Sequence, residues 1–149
     1  MVTEQQPNDD EAVLAEVLRL AGRRPEPDEV QLRFADAVRW LARRIAGRVV
    51  RVRFFARDPS DAGLLEDATC DAETRVISFN VKGPLRFDDI LDPATLGVVL
   101  HEIAHLEILE HDLRFIDRLQ TLAGITAKVL AEGGPSLAEA LRSGDPDRH

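Results

Sequence analysis

The sequence has one cysteine, no tyrosine and no apolar run long enough to cross a membrane. The lone Cys70 excludes an intramolecular disulfide, a zinc ribbon and an iron–sulfur site built on several thiolates. A membrane-spanning helix needs ~18 or more apolar residues in a row, and no run approaches that length. The N-terminal stretch is polar and acidic, without the basic and apolar regions of a signal peptide. We therefore expect a soluble, cytoplasmic protein.

Basic residues are also in the minority. The chain has 19 Lys and Arg residues against 27 Asp and Glu residues, which gives a formal net charge of −8. A nucleic-acid-binding domain normally carries a basic face or stripe, and anionic membrane surfaces attract clusters of Lys and Arg. The charge balance therefore argues against nucleic-acid and membrane partners.

The length of 149 residues predicts one domain. Residues 1–10 contain almost no apolar side chains, and we expect them to form a disordered lead. Residues 11–142 are expected to form the domain, and residues 143–149 a polar tail. No internal repeat or linker divides the middle range.

Two helices are predicted before any strand. Glu11–Ala21 places its apolar side chains on one face, as an amphipathic helix does. Asp28 can cap a longer helix that continues to Ala46 with a second apolar stripe. Gly47 is a typical residue for the end of that helix.

The hydrophobic period then changes from about 3.6 to 2 residues, which indicates strands. Arg48–Ala56 and Arg75–Val81 alternate between apolar and polar residues, and Leu64–Cys70 is a weaker candidate. Because the turns between these runs are short, they favour a small antiparallel sheet of about three strands.

Helices follow the strands. Asp92 followed by Pro93 is a strong helix start, with an N-cap and a proline at the first helical position. A long helix is predicted over 112–131, with a glycine pair at 133–134 to end it, and Pro135–Leu141 is predicted as a short helix. The element order predicts an α+β fold.

Residues 101–105 read HEIAH, which is an HExxH motif. His101 and His105 stand about one turn apart on the same helix face, so both imidazoles can reach one metal ion. Glu102 is ~100° round the helix, close enough to take a proton from a metal-bound water without binding the metal itself. The pattern therefore predicts a zinc site with Glu102 as a general base.

The surrounding helix supports this interpretation. On a helical wheel the two histidines lie opposite the apolar stripe, as a metal site at the floor of a cleft requires. The stripe consists of Leu96, Val99, Leu100, Ile103 and Leu106. The alternative is a buried helix whose two histidines hydrogen-bond to nearby carboxylates.

His111 is the candidate third ligand. On an unbroken helix it would lie about 9 Å beyond His105 along the axis and could not share the metal. An unbroken helix would also place Glu107 and Glu110 in the apolar stripe, which is unfavourable for charged groups. We therefore expect a turn between Glu107 and His111 that folds His111 back. The alternative for His111 is a solvent-exposed histidine at a helix junction.

The helix after this turn offers a second source for the third ligand. Glu132 or Glu139 would supply it in a His-His-Glu site, whereas Asp112 can cap a helix that restarts directly after His111. Phe115 would then pack the new helix beneath the site. These features favour His111 over either glutamate.

Two stretches between Arg75 and Ile116 follow a distinctive order. ISFNVKGPLR is a strand that ends near an Asn and continues into a short loop. VVLHEIAHLEILEHDLRF is a helix with HExxH, then a downstream His and the aromatic Phe115. This order resembles the short HExxH metallopeptidases of the SprT, WLM and YgjP type.

The resemblance implies a compact zincin-like fold and hydrolysis of a peptide or protein substrate. It also implies that His101, His105 and His111 bind zinc and that Glu102 is the general base. The chain departs from the family pattern where Glu110 replaces an Asn before the third histidine. It also lacks the cysteine zinc ribbon and basic surface that SprT-type proteins often add.

Two weaker candidates lie near the motif. Arg114 could stabilise the oxyanion of a tetrahedral intermediate, or it could pair with an acid such as Asp112 or Asp117. The strand Arg75–Val81 could be an edge strand that pairs with a substrate peptide. Ser78 and Asn80 would then line the cleft.

The sequence thus predicts a zinc-dependent metallopeptidase, with two alternatives. YbeY-like ribonucleases share the HxxxHxxxxxH spacing, but they typically lack a glutamate at the second position, and the acidic net charge disfavours RNA. An inactive or ImmA/IrrE-like zincin would instead act as a sensor or a partner-binding module.

Overall fold

The structure is a computed structural model and describes residues 25–58 and 67–148. The predicted lead and the predicted helix Glu11–Ala21 lie outside these ranges, as does the start of the weaker strand candidate. Within these ranges, three α-helices and a three-stranded sheet make up an α+β fold. In chain order the elements are α1 (Glu29–Ala46), β1 (Arg51–Phe55), β2 (Ala68–Asp71), β3 (Val76–Asn80), α2 (Pro93–Ala104), α3 (Leu113–Arg142) and a 3-10 helix (Pro146–Arg148).

Helix α1 has the boundaries that its capping residues predict. The Asp28 carboxylate accepts a hydrogen bond from the backbone N–H of Gln31 at 2.8 Å, and the Gln31 side chain accepts one from the backbone of Asp28 at 3.0 Å. This reciprocal pair satisfies donors that the first turn leaves unpaired. Gly47 ends the helix with φ of 65°, a left-handed conformation that glycine adopts without strain.

The prediction of an antiparallel sheet is wrong for one of its two strand pairs. The strand order is β1-β3-β2, and β1 pairs with β3 in parallel, while β2 pairs with β3 antiparallel. A tight turn over residues 72–75 joins β2 to β3, so that pair is a hairpin. The connection over residues 56–67 is too long for a hairpin, and β3 occupies the place beside β1.

The sheet covers one side of the core with its inner face. Ile77 and Phe79 of the central strand are completely buried there. Phe79 contacts the ring of Phe34 from α1 edge to face, with ring centroids 5.0 Å apart. Helix α2 contributes Val99 and Ile103 to the same core. Val76 and Ser78 on the other face of β3 are only half-buried, so the strand contributes to the core mainly through its inner face.

Helices α2 and α3 also begin at their predicted caps. Asp92 accepts a hydrogen bond from the backbone N–H of Thr95 at 3.1 Å, and Pro93 is the first helical residue. Helix α3 begins after Asp112, and a break occurs at Gly134, whose φ of 66° and ψ of −164° are not helical. The predicted helix end at 133–134 is therefore confirmed, and Pro135 begins the second part of α3.

The predicted polar tail has more contacts than expected. Arg148 of the 3-10 helix pairs with Asp36 of α1 at 3.2 Å, and Asp145 lies 3.8 Å from Arg43. These ion pairs join the end of the described chain to α1.

Candidate metal centre

The side chains of three histidines, His101, His105 and His111, converge at the C-terminal end of α2. The Nε2 atom of His105 lies 3.1 Å from that of His101 and 2.9 Å from that of His111. The Nε2 atoms of His101 and His111 are 3.1 Å apart. The chain therefore folds back and brings His111 to the other two histidines, as predicted. In the described part of the chain, these three residues form the only cluster of ligating side chains suited to a metal ion.

The chemistry of this cluster fits a metal ion. Zinc binds histidine nitrogens at about 2.0–2.1 Å, so nitrogens around one tetrahedral ion are about 3.3 Å apart. The observed triangle is a few tenths of an ångström smaller. Three ring nitrogens that face one another cannot all be satisfied by hydrogen bonds, because each neutral ring has one donor and one acceptor. A cation at their centre would satisfy all three lone pairs.

His105 is held in the tautomer that a metal requires. Its Nδ1 atom lies 2.9 Å from the backbone carbonyl oxygen of Ile108. Because a carbonyl oxygen only accepts, Nδ1 carries the proton and donates it, which leaves the lone pair on Nε2 free for a ligand. A hydrogen bond of this kind commonly orients metal-binding histidines. No sequence pattern could have predicted this contact, because any residue at position 108 has the same carbonyl group.

The helix break that returns His111 comes slightly earlier than predicted. Helix α2 ends at Ala104, and residues 105–112 form an irregular segment before α3. Glu107 in this segment pairs with Arg48 at 2.8 Å and with Arg118 of α3 at 2.9 Å. The break therefore replaces a buried carboxylate by two ion pairs, which is the physical reason anticipated from the sequence.

Phe115 forms the floor of the cluster. Its ring stacks on that of His105 with centroids 4.5 Å apart and a 27° interplanar angle. Edge contacts to His101 and His111 have centroid distances of 4.9 and 5.0 Å. Phe115 is buried, and Asp112 accepts a hydrogen bond from its backbone N–H at 3.2 Å. Asp112 thus caps α3, and Phe115 packs this helix beneath the three imidazoles, as predicted.

Glu102 lies beside the cluster. Its side chain is only 6% exposed, and together with His101 it lines one end of a cleft. Burial, together with the nearby carboxylates of Glu102 and Asp71, raises the pKa of the Cys70 thiol to about 12. Cys70 shares the inner face of the sheet with Ile77, so it is a protonated packing residue next to Glu102.

Arg114 is on the surface in two ion pairs. Its guanidinium lies 2.9 Å from Asp112 and 3.5 Å from Glu110, the two carboxylates on either side of His111, and its side chain is 70% exposed. The pairing with Asp112 is the alternative that the sequence offered to an oxyanion role. To stabilise an oxyanion, the guanidinium would have to leave both carboxylates.

Neither glutamate that could replace His111 lies in the histidine cluster. Glu132 is exposed, and its carboxylate is 3.9 Å from Lys128 one turn earlier on α3. Glu139 is exposed after the break at Gly134. The geometry brings His111, and neither of these residues, to His101 and His105.

The prediction that Arg75–Val81 is an edge strand open to a substrate peptide is wrong. β3 is central, so its backbone cannot pair with a peptide, and Asn80 is buried. The Asn80 amide binds the backbone of Arg57 and Lys82, with its Oδ1 3.1 and 3.0 Å from the two N–H groups. β2 is the edge strand that packs against α2.

The histidine cluster has a consequence for the pH dependence of stability. Burial, together with the neighbouring His105 and His111 rings, holds the pKa of His101 below its ordinary value of 6.5. At His101 the unfolded chain therefore binds a proton more readily than the folded, metal-free chain as the pH falls through 6.5. We expect the free energy of unfolding of the metal-free protein to fall as the pH decreases from that value.

Urea unfolding of chelator-treated protein between about pH 8 and pH 5 measures this effect. His101→Gln has no group to protonate and should show a smaller decrease over the same range. A free energy of unfolding that stays constant or rises on acidification would contradict the prediction.

Comparison of the chain with protein-family models, curated proteins and solved structures gave no match. Among the described residues, no helix is both long enough and apolar enough to span a membrane.

Proposed function

We propose that this protein is a zinc-dependent metallopeptidase with a zincin-like site. The observation that carries the proposal is the convergence of the His101, His105 and His111 Nε2 atoms within 3.1 Å of one another, beside the buried Glu102. Three protein ligands and an open position are typical of catalytic zinc, whereas structural zinc usually has four protein ligands. The resemblance to SprT, WLM and YgjP-type metallopeptidases supports the same assignment.

The three histidines would hold the metal, and Glu102 would do the proton transfers. Zinc bound there would lower the pKa of a bound water and polarise the peptide carbonyl group. Glu102 accepts a proton from the attacking water and delivers it to the leaving amine when the C–N bond breaks. Its position one residue after His101 brings Glu102 to the cleft, while the His101 and His105 rings converge at the place where the metal would bind.

The edge strand β2 would bind the substrate backbone. Among the described strands, β2 pairs only with β3, and it packs against the helix that carries the motif. An extended peptide can add to such an edge through main-chain hydrogen bonds. This replaces the sequence-based expectation that Arg75–Val81 would do so.

Metal analysis combined with a peptide-cleavage assay tests the proposal. We expect one zinc ion per chain in the purified protein, and cleavage of a peptide library that stops with a zinc chelator and returns with added zinc. Protein that is purified without metal and shows no affinity for added zinc would contradict it. Zinc-loaded protein that cleaves no peptide would favour an inactive zincin with a binding role.

A further inference from the structure

A cleft of about 450 Å³ extends from the histidine cluster along α2. It lies between that helix and the beginning of β2, and His101 and Glu102 form one end. Small or apolar residues of α2 make up one wall, and two residues at the start of β2 make up the other. The remaining lining residues are Pro93, Ala94, Gly97, Val98, Asp67 and Ala68.

Gly97 keeps this cleft wide. It lies in the interior of α2, where glycine is less favourable than alanine. A Cβ atom at this position would meet no atom within 4 Å, so no packing contact requires a glycine. Gly97 is four residues before His101 and therefore on the same helix face. A larger side chain would project into the cleft and leave less room for a ligand, which explains why a glycine occupies this position.

Asp67 brings an unsatisfied carboxylate to the opposite wall. Its Oδ1 atom is sealed from solvent beside Gly83 and has no hydrogen-bond partner, so a ligand in the cleft can reach the carboxyl group only through the other oxygen, Oδ2. The backbone is fixed there, because the Asp67 carbonyl oxygen accepts a hydrogen bond from the Asn80 N–H at 2.8 Å. A Cβ atom on Gly83 would come within 3.1 Å of Oδ1, so the side chain is closely confined. Burial raises the pKa of this carboxyl group.

We propose that the cleft is a specificity pocket and that Asp67 binds the cationic end of a lysine or arginine side chain of the substrate. This inference rests on the proposed peptidase function, and it names the class of substrate. The apolar wall of α2 suits the methylene stem of such a side chain, while the carboxylate suits its charged end.

Other side chains would fit less well. An apolar side chain would also exclude water from the Oδ2 atom of Asp67 and leave the whole carboxylate without a partner, which is costly. An acidic side chain would be repelled by Asp67 and by the neighbouring Glu102. An aspartate in the wall of a pocket thus selects a cation mainly by making the binding of apolar and acidic side chains unfavourable.

Peptide binding tests the pocket independently of turnover. The probes are fluorescein-labelled alanine hexapeptides with one central lysine, arginine, norleucine or glutamate, titrated against zinc-saturated Glu102→Gln protein. We expect the lysine and arginine peptides to bind about tenfold more tightly than the norleucine peptide, as one charge-assisted hydrogen bond can provide. Adding Asp67→Asn should remove this difference, whereas Asp147→Asn, which removes an exposed carboxylate of the 3-10 helix, should preserve it.

A second pair of variants tests the cleft itself. Gly97→Leu should fill the cleft and weaken binding of the lysine peptide about tenfold or more, while Gly97→Ala should retain most of the affinity. Both substitutions replace glycine by a better helix former, so folding is maintained, and circular dichroism checks this.

The outcomes separate this inference from the proposed function. Equal affinity for lysine and norleucine peptides, in a protein whose wild type cleaves peptides, would overturn the pocket and leave the peptidase standing. Selective binding that depends on Asp67, in a protein that cleaves nothing, would support the pocket and overturn the peptidase.

Discussion

Replacing Glu102 by glutamine should abolish peptide hydrolysis and leave zinc bound. Glutamine has the same shape but cannot accept a proton, and general acid–base catalysis contributes about 10²–10⁴-fold to rate. The carboxylate lies outside the triangle of Nε2 atoms, so its loss removes no metal ligand. We therefore expect the turnover number to fall by at least about 100-fold at unchanged zinc content.

The measurement is a steady-state cleavage assay on wild type and variant, with zinc determined in the same samples. Glu139→Gln is a matched control, because it makes the same chemical change at an exposed position of α3. Glu102→Gln protein with full turnover would exclude Glu102 as the general base. Loss of zinc together with activity would show that Glu102 maintains the site.

Replacing His111 by alanine should weaken zinc binding at least about tenfold, because one of three ligands is lost. The Nε2 of His111 is 2.9 Å from that of His105 and 3.1 Å from that of His101, so it can share one ion with them. Glu132→Ala should leave the zinc affinity nearly unchanged, since that carboxylate lies near Lys128 on the surface of α3.

Competition titration with a zinc-sensitive dye measures both dissociation constants. His105→Ala gives the reference for complete loss of a ligand at the end of α2, because the His105 ring contacts both other imidazoles. If Glu132→Ala weakens zinc binding more than His111→Ala does, the site belongs to the His-His-Glu class. That result would also remove the main support for the resemblance to SprT, WLM and YgjP-type proteins.

The position of His111 shows what the pattern of charged residues can predict and what it cannot. The sequence predicted a helix break because Glu107 would otherwise enter the apolar stripe, although no glycine or proline marks a turn. In the structure Glu107 pairs with Arg48 and Arg118, which are distant in sequence. The need for a break was evident from the sequence, but its location at Ala104 depends on these partners and on the Ile108 carbonyl.

The sequence alone determined the features whose causes lie within a few residues. Capping at Asp28, Asp92 and Asp112 and the break at Gly134 are local, because each depends on backbone groups of the next turn. The placement of His101 and His105 on one face follows likewise from helix periodicity.

Only the tertiary structure decided which strands pair and what lines the cleft. The parallel pairing of β1 with β3 joins segments that are separated by a long connection, and local alternation carries no information on strand direction. That pairing makes β2 the edge strand and brings Asp67 to the cleft opposite Gly97. Neither residue belongs to a recognisable sequence motif, because the role of each depends on the residues on the opposite wall of the cleft.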